Sequence, residues 1–186
     1  VKFRILLSAA ALIAVCTSAG AQEAVTSAFE GFSGRGDQPV NIEADRLEVG
    51  EVEQTAVFSG NVVVVQGAST LRAAKLTIFY EKDSATSRKP PPAAGGNVTA
   101  GRNIRRLDAD GGVTVTSGNQ RASGNRGVFD MPSNTVVLTG NVTVTQGVNI
   151  LKGEKLVVDL TTQKSRVESS GGGGRVQGVF GPSKTQ

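Results

Sequence analysis

Few residues in this chain could do chemistry. Among 186 residues there is no histidine and one cysteine, Cys16, which excludes most zinc sites, Ser-His-Asp triads and Cys-His pairs. Asp45, Asp108 and Asp110 are scattered carboxylates without calcium-loop spacing, and no paired-carboxylate motif suggests a polysaccharide-processing enzyme. Glycine is abundant, at 24 positions. No Walker lysine follows these glycines and no GxGxxG opens a helix, so they are backbone geometry rather than a phosphate cradle. Arg72, Lys75, Arg102, Arg105 and Arg106 could rim an anionic ligand, with Arg72, Lys75, Arg105 and Arg106 as headgroup candidates. They could equally be solvated edge-strand charges that discourage aggregation. Nucleic acid is not an expected partner, because only Phe79, Tyr80 and Phe129 lie near these basic residues as stacking aromatics. The expectation is a protein without catalytic residues, metal or cofactor.

Residues 1–21 have the order of a secretory signal: Lys2 and Arg4, an apolar run from Ile5 to Val15, then Ala19-Gly20-Ala21 as a cleavage site. The run is too short to anchor stably in a bilayer. Val15 before Cys16 argues against a lipobox, so the expected product is exported, soluble and free of cysteine. Without Lys2 and Arg4 the formal charge falls from +4 to +2. Charge is also divided along the chain. Residues 22–71 hold eight acidic and two basic side chains, and residues 72–126 hold ten basic and four acidic ones. That polarity would favour head-to-tail contacts.

The elements that must position these residues are strands. Val113-Thr114-Val115-Thr116 and Val142-Thr143-Val144-Thr145 alternate apolar and polar β-branched residues, the pattern of a strand with one dry face. Helical periodicity is almost nowhere. Residues 56–80, AVFSGNVVVVQGASTLRAAKLTIFY, align without gaps on residues 136–160, VVLTGNVTVTQGVNILKGEKLVVDL. Shared positions include Gly60/Gly140, Asn61/Asn141, Gln66/Gln146, Gly67/Gly147 and Leu76/Leu156. A degenerate copy begins at Asp110, and half a copy, VNIEADRLEV, begins at Val40. Such units bury an apolar face only by stacking on one another. Gly-Asn tolerates positive φ and lets a strand turn sharply. The expected domain spans residues 38–168, after a flexible lead at 22–37. Residues 81–97, with Pro90-Pro91-Pro92, should project as a loop, and Val98 to Leu107 should recover as a short strand. The tail, 169–186, carries Gly171 to Gly174 as a hinge or loose turn, with a last strand around Val176, Val179 and Phe180.

Parity through the repeat puts Phe58, Val62, Val64, Leu76 and Ile78 on one face, matched by Leu138, Val142, Val144, Leu156 and Val158. Ile42, Ala44, Leu47, Val49, Val113, Val115 and Val128 should line the same interior. This aliphatic lining fits an ordinary packed core and an apolar trough for acyl chains equally well.

The segments QPVNIEADRLEV, VFSGNVVVVQG, LRAAKLTI, VVLTGNVTVTQG and ILKGEKLVV together resemble the LptA/OstA family of periplasmic lipopolysaccharide-transport proteins. The resemblance covers residues 38 to about 168. It implies an all-β fold, an open twisted β-jellyroll of stacked repeat units whose V-shaped apolar groove carries the acyl chains of lipopolysaccharide. It also implies an LptC-like inner-membrane partner at the amino-terminal edge, Val40–Val49. An LptD-like outer-membrane translocon would meet the carboxy-terminal edge, about Val148–Leu160 with the last segment. The lined positions would then be lipid-binding. The competing reading is an exported structural or adhesive β-solenoid with a solid core.

Overall fold

The computed structural model describes residue 29 and residues 39–81, 104–169 and 174–181. The signal segment, the 22–37 lead apart from Phe29, residues 82–103 with the rest of the loop insertion and Arg102, and Gly171 to Gly173 lie outside the described residues. Regular structure among the described residues is entirely β: β1 (Asn41–Glu43), β2 (Arg46–Gly50), β3 (Thr55–Gln66), β4 (Ser69–Tyr80), β5 (Ile104–Ser117), β6 (Gln120–Asp130), β7 (Thr135–Gln146), β8 (Asn149–Asp159), β9 (Lys164–Glu168) and β10 (Gln177–Val179).

All ten strands form one antiparallel sheet in which β3 to β8 follow chain order. β1 and β2 both pair with the outer side of β3, and β9 and β10 both pair with the outer side of β8. Each border of the sheet is therefore one strand split in two. Of the expected carboxy-terminal edge, Val148–Leu160 with the last segment, the first part is corrected: β8 is covered by β9 and by β10 of the last segment, and these two make the border. The expected short strand at Val98–Leu107 is described only from Ile104, where it belongs to the much longer β5.

The sheet folds along a line that crosses every long strand. Register shifts at that line in each of the five pairs from β3/β4 to β7/β8. The extra residues lie on β3, β5 and β7, where backbone angles are left-handed: Gly60 and Asn61 at φ 79° and 47°, Gly111 and Gly112 both at 84°, Gly140 and Asn141 at 78° and 51°. These are β-bulges, which bend a strand and re-aim its side chains. Glycine is required at Gly60 and Gly140 twice over. A methyl group there would meet the Asp45 carboxylate or the Asn125 amide as well as a disfavoured φ.

The extra residue has a consequence for alternation. On β3, β5 and β7 the inward positions keep one parity across the line. On β4, β6 and β8 they switch, so that β4 points Leu71 and Ala73 inward before the line and Leu76 and Ile78 after it. The inward side chains of the two halves meet in a single apolar core, with Leu76, Ala122, Leu138, Leu156 and Val158 at 0–1% exposure. Phe29, from the lead, joins that core at 1% exposure.

The two ends of the sheet are built alike in both copies. Tight turns at Gly67, Gly118 and Gly147 use φ between 55° and 59°, as two-residue hairpins require. At the opposite end Gln54 and Asn134 share φ 52°, and their carbonyls accept from Tyr80 N–H at 2.9 Å and Leu160 N–H at 3.0 Å.

Candidate binding interior

Cross-strand register sorts the expected lining residues into rungs. One rung runs Val64, Leu71, Val115, Ala122, Val144, Leu151 from β3 to β8, with Ile42 of β1 opposite Val64. Next to the fold line lie Val62, Val113 and Val142, each 1% exposed. Beyond it run Phe58, Leu76, Ala109, Gly127, Leu138, Leu156, and then Ala56, Ile78, Leu107, Phe129, Val136, Val158. Thirteen expected positions are thus buried on one continuous face: Ile42, Phe58, Val62, Val64, Leu76, Ile78, Val113, Val115, Leu138, Val142, Val144, Leu156 and Val158.

Four expected positions differ. Ala44 and Leu47 are half-buried against the same core. Val49 faces the same way as its partner Ala56 but stands at the sheet border, 39% exposed. Val128 is a correction: it sits between buried Gly127 and Phe129 and therefore points outward. The parity switch on β6 at the fold line is the reason, because Ala122 and Gly124 are inward before the line and Gly127 and Phe129 after it.

Sequence reasoning misses the inward residues whose chemistry is bland or whose parity shifts, namely Ala56, Ala73, Ala109, Ala122, Phe129 and Val136. It also misses Tyr80 and Leu160 at the end of the same face, and Phe29, which lies outside the repeat altogether. The usable signal is the Gly-Asn corner itself, since one extra residue per odd strand demands compensation in its even neighbours.

The four headgroup candidates do not converge. Arg72 and Lys75 are exposed on the outward face of β4, on either side of the fold line. Arg105 is the extra residue where β4/β5 register shifts near Tyr80. Arg106 is committed to a neighbour: its Nε and Nη2 donate to Asp108 Oδ1 and Oδ2 at 2.5 and 2.9 Å. Arg126 Nη2 donates to the same carboxylate at 2.8 Å, and its Nε lies 3.5 Å from Asp110. Asp108 is thereby buried on the outward face beneath two guanidiniums, and Arg106 also lies 6.0 Å over the Phe79 ring. Bonding to Asp108 raises the Arg106 pKa further above its ordinary value. The Ser133 hydroxyl and backbone N–H hold Asp130 below the usual carboxylate range, and the Thr162 backbone N–H does so for Asp159. These carboxylates serve geometry. Among the described residues no three His, Cys, Asp or Glu side chains gather where a metal could be held.

An apolar face of this kind, on a sheet whose borders carry no further strand among the described residues, is suited to sequestering hydrocarbon. Known proteins share the architecture. The family described as LptA/(LptD N-terminal domain) LPS transport protein matches residues 41–164. An uncharacterized protein of Rhizobium meliloti is 36% identical over 86% of this chain and 81% of its own length. The lipopolysaccharide export system protein LptA of Escherichia coli is 27% identical over 83% of this chain and 77% of its own. The crystal structure of LptH, the LptA-homologous periplasmic component from Pseudomonas aeruginosa, superposes with a TM-score of 0.60 at 23% identity, covering 78% of this chain and 97% of that one. By fold and by sequence, this chain belongs to the LptA/(LptD N-terminal domain) family of LPS transport proteins.

Proposed function

We propose that this chain is a periplasmic carrier that binds lipopolysaccharide through its lipid A acyl chains and bridges the inner and outer membranes. The observation that carries the reading is the inner face: apolar rungs across six strands, in a sheet whose borders carry no further strand among the described residues. Each methylene removed from water contributes roughly 0.8 kcal/mol, so acyl chains that replace the contacts between the two halves are themselves taken out of water, and transfer needs no bond-making by the protein.

The borders support the bridging role. Around β1 and β2 the chain presents Glu43, Asp45, Glu48, Glu51 and Glu53 with only Arg46 as a cation, and an LptC-like partner would add its strand there. Around β9 and β10 lie Lys164, Arg166 and Arg175 with Glu168 as the one acidic side chain, and Val148, Val176, Val179 and Phe180 are exposed at 42–72%. An apolar border strand of this kind invites strand addition, here from an LptD-like translocon. Opposite charge on the two borders also favours head-to-tail self-association. Export to the periplasm rests on the signal-like order of residues 1–21.

Depletion in cells tests the transport role. Newly made lipopolysaccharide should accumulate at the inner membrane, whereas undiminished surface delivery would refute it.

A further inference from the structure

One rung of the inner face is not apolar. The last inward residue of each long strand, next to the tight hairpins, is Gln66, Ser69, Ser117, Gln120, Gln146 and Asn149 from β3 to β8. Register places them opposite one another: Gln66 with Ser69, Ser69 with Ser117, Ser117 with Gln120, Gln120 with Gln146, Gln146 with Asn149. All are amides or hydroxyls. The row contains no charged side chain.

Solvent exposure at the end of a sheet does not account for Gln66 and Ser69, and the other four members of the row are half-buried. Gln66 is 7% exposed and Ser69 2%, whereas the outward neighbour Val65 is 37% exposed. On β3 alternation is inverted, with polar Gln66 in and apolar Val65 out. One rung deeper, Val64, Leu71, Val115, Ala122, Val144 and Leu151 restore the hydrocarbon surface. The other end of the inner face is finished differently, by buried Tyr80, Phe129 and Leu160. Because the sheet folds along its bulge line, these two ends form the two lips of the interior. One lip is an uncharged hydrogen-bonding row, and the other is mainly apolar, with Asn134 as a buried amide.

We infer that the polar row is a subsite for the uncharged linkage between acyl chains and headgroup, the amide and ester groups of an acylated sugar. The inference rests on the lipid-carrier reading above. An amide side chain offers both donors and an acceptor and a hydroxyl offers both roles, which matches the carbonyl and N–H groups of such linkages without burying a charge. Asn149 already uses Oδ1 to accept from Gly181 N–H at 3.3 Å, which holds its side chain in the row. With the chains laid on the aliphatic rungs, their carbonyls arrive at this lip, so the row sets the depth of insertion and selects acylated over merely alkylated amphiphiles.

A matched pair of probes tests this with the full chain: N-myristoyl glucosamine, and tetradecyl glucoside, which has the same chain length but no amide. Wild type should bind the first about tenfold more tightly, the worth of one or two net hydrogen bonds. Gln120→Leu combined with Gln146→Leu should erase that preference while binding the glucoside at least as well, which also reports that the variant is folded. A wild type that does not discriminate, or a variant that keeps the preference, overturns the subsite. Failure of wild type to bind either probe or lipid A overturns the carrier reading instead.

Discussion

Asn61 donates through Nδ2 to Asp45 Oδ2 at 2.9 Å, while the Asp45 N–H donates to the Gly60 carbonyl at 3.0 Å. The break between β1 and β2 is thereby fastened to the corner of β3. The border strand follows the fold of the sheet although it is divided there. Asp45→Ala should lower stability by about 0.5–1.5 kcal/mol, as expected for one hydrogen bond to a solvent-accessible carboxylate. It should also accelerate amide exchange across Asn41–Gly50 more than across β5 to β7. Urea denaturation and hydrogen exchange read these two effects.

The corner glycines differ in what surrounds them. At Gly112, φ 84°, an added methyl group would have nothing within 4 Å, whereas at Gly140, φ 78°, it would lie 2.6 Å from the Asn125 amide nitrogen. Gly112→Ala should therefore cost only backbone strain, about 1–2 kcal/mol. Gly140→Ala should cost roughly 1 kcal/mol more, because the Asn125 side chain must move. Denaturation midpoints of the two variants measure the difference directly.

Asp108 holds two guanidiniums on the outward face, and its removal leaves both without their shared acceptor. Asp108→Ala should destabilise the protein by about 1–3 kcal/mol, a value moderated by the exposure of Arg106 and Arg126. The double replacement of Arg106 and Arg126 by Met should recover part of that loss in an Asp108→Leu background. Thermal unfolding of the set checks both statements.

Acid sensitivity follows from Asp130 and Asp159. Both carboxyls are held below their ordinary value of 3.8 by hydrogen bonds from the turns that follow them. A depressed folded-state pKa contributes stability above the unfolded value, and that contribution is lost as pH falls through the folded one. Wild type should therefore lose stability more steeply below about pH 4 than Asp130→Ala/Asp159→Ala does. Urea midpoints at neutral pH and near pH 3 reveal the change in slope.

The strands, the repeat and most of the lining are legible in the sequence, because Val/Thr alternation and a Gly-Asn corner are local signals. Phe58, Val62 and Val64 share one parity on β3, so counting by twos crosses the corner without error. The same counting fails on β6, where the missing residue near Asn125 moves the inside from Ala122 and Gly124 to Gly127 and Phe129. Val128 is misplaced for that reason alone. Phe29 cannot be assigned from its neighbours, since two aromatics, Phe29 and Phe32, in a polar lead carry no period. Arg106 reads as available because its partner, Asp108, is two residues away on one strand, and only a shared face brings them together. The split of the carboxy-terminal border is equally hidden, because β9, five residues long, is too short to announce a strand.

A photo-crosslinking side chain placed at Val144 or Val64, compared with one at Thr143, tests the central claim most directly. Val144 and Val64 face the interior, and Thr143 faces outward between Ser123 and Lys152. The carrier reading requires lipopolysaccharide captured in cells from the two inward positions and little or none from Thr143. Capture from Thr143 alone would contradict it.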